Sequence, residues 1–139
     1  MDMIVTGDIY KILYEKVREF GIKAVYDSWN PITSELKEEA IVIVTSTPIE
    51  PDTYWEKAFV HVNICVPDYL ECVNKRKLTE MERLANQWIS YGIVDEYDNN
   101  WYQISKISLG TERDEALKCS YVNLKLLFGI YIFINNMII

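Results

Sequence analysis

The sequence predicts an α+β domain: a mainly antiparallel sheet of about four to five strands with two helices packed on one face. An apolar stripe at helical spacing opens the chain, formed by Ile9, Ile12, Leu13, Val17 and Phe20. A period-two alternation from Trp55 then puts Ala58, Val60, Val62, Ile64 and Val66 on one face and Phe59, His61, Asn63 and Cys65 on the other. A second helical stripe follows in Met81, Leu84, Ala85, Trp88 and Ile89. The 139 residues suit a single domain that buries roughly two-thirds of its unfolded surface.

The elements follow in order. Thr6 or Asp8 caps the first helix, which ends near Phe20 with Gly21 as a left-handed stop. Ile22–Tyr26 reads as a short strand, and polar Asp27–Glu39, with its Asn30-Pro31, as a surface loop. Ala40–Val44 is apolar, β-branched and too short for a helix, so it is read as a central strand. Pro48 and Pro51 stiffen the link to the strand from Trp55, which Pro67-Asp68 stops. Thr79 and Glu82 form a capping box that opens the second helix, and Gly92 ends it. Asp95–Asn100 reads as an acidic turn, Trp101–Leu109 as a strand, Gly110–Asp114 as a turn and Ala116–Phe128 as a longer strand. Leu126–Ile134 is apolar or glycine throughout, too short for the roughly 20 residues of a membrane span. The segment 126–139 is an extra buried strand, an arm on a neighbouring subunit or a membrane contact, with burial the favoured reading.

The formal net charge of −7 disfavours nonspecific nucleic-acid binding, which needs clustered cations to displace counterions. The basic cluster Lys75-Arg76-Lys77 reads as a solvated turn before the second helix. Cys65, Cys72 and Cys119 have no metal-clip spacing, and His61 is the only histidine, so neither a disulfide framework nor a His/Cys metal site is expected. The thiols read as reduced and intracellular. Asp2 and Asp8 with no long apolar run give no signal peptide. Asp95, Glu96 and Asp98 lack the ligand spacing and central glycine of a calcium loop. Phosphate-binding glycine loops and the nucleophile elbow are also missing. His61 and Cys65 share a strand face but sit about 13 Å apart along it, too far for a nucleophile–base hydrogen bond. No catalytic, cofactor-binding or metal residues are therefore expected, and Trp29, Tyr54 and Trp55, in or beside loops, are candidate interface aromatics.

The layout resembles the tail terminator (tail-completion) proteins of long-tailed bacteriophages. The resemblance rests on the helix Ile9–Phe20, "AVYDSWNP" at Ala24–Pro31, "EAIVIVTSTP" at Glu39–Pro48, "FVHVNICVPD" at Phe59–Asp68 and "TEMERLANQWIS" at Thr79–Ser90. It covers the chain to about Phe128, as a pattern of elements shared with neck and minor tail proteins. It implies a non-enzymatic subunit that forms a homo-oligomeric ring, usually a hexamer, by a heterologous interface that closes. The ring caps the tail tube protein and meets the head–tail connector, in the virion or, during assembly, in the host cytoplasm. It implies no cofactor, no specific nucleic-acid binding and no membrane. Trp29, Tyr54, Trp55, Leu126 and Phe128 are the candidate subunit contacts. Asp95, Glu96 and Asp98 are candidate acidic loops facing a lumen, where like charge would keep DNA moving. The alternative is an intracellular binding module that uses its sheet face or an inter-helix groove.

Overall fold

A computed structural model describes residues 3–45 and 47–132. The chain runs through α1 (Thr6–Lys16), a 3-10 turn (Val17–Phe20), β1 (Ala24–Asp27), β2 (Ala40–Thr45), β3 (Glu50–Pro51) and β4 (Trp55–Pro67). It continues through α2 (Lys75–Ile89), β5 (Ile93–Tyr97), β6 (Asn100–Asp114) and β7 (Cys119–Tyr131).

Among the described residues the sheet has seven strands in the order β1-β2-β4-β7-β6-β5, with β3 also paired to β4. It is mixed, because β1 runs parallel to β2, and it curls into a half-barrel. This corrects the expected four-to-five-stranded, mainly antiparallel sheet: strand accounts for 47% and helix for 23%, so the sheet dominates the molecule. The parallel pair arises because residues 28–39 carry the chain across the sheet and return it to the end at which β1 began. Leu36, midway along that crossover, is buried against Ala40, Cys65 and Cys119.

The strand count was missed for local reasons. The acidic stretch after Gly92 is β5, joined to β6 by a tight turn in which Asp98 (φ 50°) and Asn99 (φ 65°) both adopt left-handed backbone. Short polar side chains tolerate that conformation better than other residues with a Cβ. Residues 110–114, expected as a turn, belong to β6. A bulge at Ile107 shifts the register between Lys106 and Ser108, so the inward positions change from even numbers (Tyr102, Ile104) to odd (Leu109). Between β2 and β3 the ladder is patched by a side chain: the Thr47 hydroxyl accepts from the Phe59 N–H at 2.9 Å, next to Pro48, which has no N–H to give.

Both helices begin differently from the sequence reading. Val5 precedes α1, and the Asp8 carboxylate reaches back to accept its N–H at 2.9 Å. Gly21 (φ 72°) ends the helical stretch after the 3-10 turn. The second helix starts a turn earlier than Thr79: Asn74 is its cap, its side chain accepting from the Lys77 N–H at 3.2 Å. Lys75, Arg76 and Lys77 are therefore the first turn of α2 and not a turn before it.

One face of the sheet carries the core. Ile41, Ile43, Val60, Val62, Val122, Leu124, Leu126 and Phe128 meet Ile9, Leu13 and Val17 from the N-terminal helical stretch and Met81, Ala85 and Ile89 from α2. Each fully buried leucine there contributes about 1.5–3 kcal/mol. Exposed ion pairs such as Arg18–Glu15 contribute about 0–1 kcal/mol. The sheet–helix core therefore holds the fold. The opposite, outer face is covered at one end by the 28–39 crossover and is otherwise uncovered by either helix.

Candidate functional site

The outer face is built from the positions of β4, β6 and β7 that alternate with the core residues. At its centre, Asn123 donates to Asn63 Oδ1 at 2.7 Å and lies 3.2 Å from His61 Nδ1. These three side chains meet because Asn63 pairs with Asn123 across the β4–β7 ladder and His61 pairs one step outward with Lys125. Lys125 Nζ sits 5.1 Å from the Phe59 ring centroid, a cation–π contact. Tyr121 donates to Glu112 at 2.6 Å, and that carboxylate pushes the phenol up to about 12.

Cys65 and Cys119 share this face under Leu36. The neighbouring thiol of Cys119, then burial, push the Cys65 thiol well up, so it remains protonated. Cys119 pairs with Pro67, six positions along β4 from His61, or roughly 20 Å. The imidazole and the buried thiols therefore form no nucleophile–base pair. Among the described residues no group of three or more His, Cys, Asp or Glu side chains is arranged to hold a metal ion.

Towards the other end of the outer face the surface becomes aromatic. Trp55 pairs with Tyr131, their ring centroids 3.8 Å apart. The Trp55 ring also lies over Gly129, where an added Cβ would come within 3.2 Å of its Cε3. The pairing of Tyr102 with Ile130 puts Trp101 beside Tyr131. Trp101 is 44% exposed, Tyr131 41% and Tyr54 59%. An aromatic row thus crosses three strands on a rigid sheet. A hollow of about 250 Å³ adjoins it, lined by Trp55, Lys57, Gln103, Ser105 and Leu127 among others.

A larger groove of about 530 Å³ lies between α1 and the β5 side of the sheet, walled by Tyr10, Tyr14, Tyr97 and Tyr102. Lys16 Nζ and Asp95 Oδ2 are 2.6 Å apart in it. The Lys16 ammonium holds the Asp95 carboxyl below its usual range, and the carboxylate raises Lys16 in return. Burial raises the Tyr102 phenol. The groove therefore offers aromatic walls and a self-neutralised ion pair.

The expected site residues are separated by the fold. Trp29 is 95% exposed on the crossover, Tyr54 is 59% exposed just before β4, and Trp55 belongs to the aromatic row. Leu126 and Phe128 are fully buried on the core face of β7, so their contacts lie within this chain. Asp95 turns into the groove, Glu96 projects from the opposite face of β5, and Asp98 occupies the hairpin turn. They are thus two strand positions and one turn position. Residues 133–139, the far part of the apolar C-terminal segment, lie outside the described residues. Trp101, Tyr131 and the edge strand β5 were not singled out by the sequence reading. The signal for Trp101 and Tyr131 was their outward register opposite a central strand, which only the pairing reveals. Among the described residues no helix is long and apolar enough to cross a membrane. Neither a protein-family model nor a curated protein matches this chain.

Proposed function

We propose that this chain is a structural subunit of a phage or prophage particle, of the tail-terminator kind, that closes into a ring on the end of the tail tube and presents a face to the head connector. The observation that supports it best is the row Trp55–Tyr131–Trp101, in which Tyr131 and Trp101 are exposed and Trp55 is half-buried. Aromatic side chains fixed on a sheet give large contact area at little entropic cost, which suits a protein partner. The resemblance of the sequence motifs to tail terminators is what points to self and tube as that partner. Function in this reading is geometric: a heterologous contact repeats until the ring closes, and the closed ring ends tube growth.

The groove between α1 and β5 favours a second reading, a binding module for a small ligand or peptide, since its size lies within the range of such sites. Light-scattering mass on a sizing column, across a concentration series and with polymerised tail tube, separates the two. A discrete species of about six subunits, alone or on the tube, is the expected outcome. A chain that stays monomeric in both conditions overturns the ring and leaves the binding module.

A further inference from the structure

Among the described residues the strand path of the sheet ends at β1 on one side and β5 on the other, each paired to a single neighbour. Unpaired strand edges are templates for further strands, and proteins either guard them or use them. Here the two ends differ in the sign of most of their unpaired charge: at the β1 end Lys23, Lys75 and Arg76 outnumber the exposed Glu38. Beside β5, Glu96 and Asp98 are exposed and have no ion-pair partner among the described residues. Beside β1 stand exposed Lys23 and the first turn of α2, with Lys75 and Arg76 likewise exposed and unpaired among the described residues. Lys77 and Ala24 line one hollow of about 420 Å³ with Glu38 and Glu39, which brings the helix start to the β1 edge. Of these basic groups only Lys77 is neutralised, by Glu39 at 3.5 Å and Glu80 at 3.8 Å.

The first turn of α2 holds no acidic residue. Its cations add to the positive end of the helix dipole, an arrangement that costs stability in the lone chain and is relieved by an anionic neighbour. In a molecule of net charge −7, the matching anionic surface lies at the far end of the same sheet.

We infer that copies of this chain associate head to tail, the β5 edge and its acidic hairpin of one copy meeting the β1 edge and the basic start of α2 of the next. The occupant of each edge is a second copy of this chain, selected by charge complementarity between the two ends. The contact is heterologous, so it propagates around a curled subunit towards closure. This inference rests on the ring reading and names its interface.

The test uses two charge-reversed variants, one carrying Glu96→Lys with Asp98→Lys and the other Lys75→Glu with Arg76→Glu. All four positions are exposed, and circular dichroism checks the fold of each variant. Self-association is measured by light scattering, alone and on tail tube. Each variant is expected to need about tenfold more protein than the wild type to assemble, and an equimolar mixture of the two to recover, because every contact is again between opposite charges. Carbodiimide cross-linking of mixed light and heavy wild-type chains is expected to join Glu96 or Asp98 of one copy to Lys23 or Lys75 of another. Variants that assemble like the wild type, or interchain links confined to other positions, overturn this interface while the ring reading stands. A wild-type chain that is monomeric alone and on the tube overturns both.

Discussion

Arg113 grips Asp68 through both terminal nitrogens, one contact being 2.8 Å, and joins the end of β4 to the end of β6. The guanidinium holds the Asp68 carboxyl below the usual range. A carboxyl depressed on folding stabilises the native state above its unfolded pKa, and that contribution is lost as pH falls through its folded pKa. Asp68→Asn is therefore expected to lower the urea midpoint at pH 7, and the gap from wild type to narrow on acidification below about pH 4, the ordinary range of the group. A gap that is constant with pH would assign the loss to packing. Trp88 makes the opposite kind of case. Its ring lies 5.0 Å from that of Phe20, yet its Nε1 is closed off from solvent and has no hydrogen-bond partner among the described residues. Burial of an unpaired donor costs about 1–3 kcal/mol, so Trp88→Phe is expected to match or exceed wild-type stability. Trp88→Ala, which empties the site, is expected to lose about 3–5 kcal/mol in the same denaturation.

At the scale of elements, α2 offers a direct comparison of two caps. Asn74→Ala removes the acceptor of the Lys77 N–H and is expected to cost about 1 kcal/mol. Thr79→Ala, at an exposed position inside the helix, is expected to change thermal stability by less than about 0.5 kcal/mol. The reverse ranking would move the helix start back to Thr79. The sequence pointed to Thr79 because a Thr-x-x-Glu box is a strong local signal and basic residues oppose the dipole of a first turn. What it could not weigh was the company those cations keep beside β1. The alternation of β4, by contrast, was fully legible, since one face is core from Ala58 to Val66. Strand β6 was legible to Leu109, but Gly110 and the polar residues after it read as a turn, and the bulge at Ile107 reverses the parity that would have marked 110–114 as strand. Strand β5 was hidden by Asp95, Glu96 and Asp98, residues that favour turns in isolation and are held in a strand and its hairpin by pairing with β6.

For the molecule as a whole, the sequence carried both helix stripes and the open character of Trp29 and Tyr54, but not the order of strands. Leu126 and Phe128 sit in a run that is apolar on both parities, so nothing local told which side chains turn inward. The pairing of β7 between β4 and β6 decided it and sent both to the core. The same blindness hid the aromatic row, whose members come from Trp55, Trp101 and Tyr131 and meet only once three strands are aligned.

The position of β7 carries a consequence for biosynthesis. It is the last described strand to leave the ribosome, yet it is central, bonded along its length to both β4 and β6. While it is still in the exit tunnel, β4 has no partner on that flank and β6 none on its inner side, so the nascent sheet is split into two exposed halves. The β6–β7 hairpin forms from near neighbours in sequence and closes quickly. Docking it on β4, about sixty positions upstream, carries the loop-closure penalty and sets the slow step. Newly made chains on neighbouring ribosomes would present unfilled β4 edges to one another during that interval, the stage at which misassembly competes with folding.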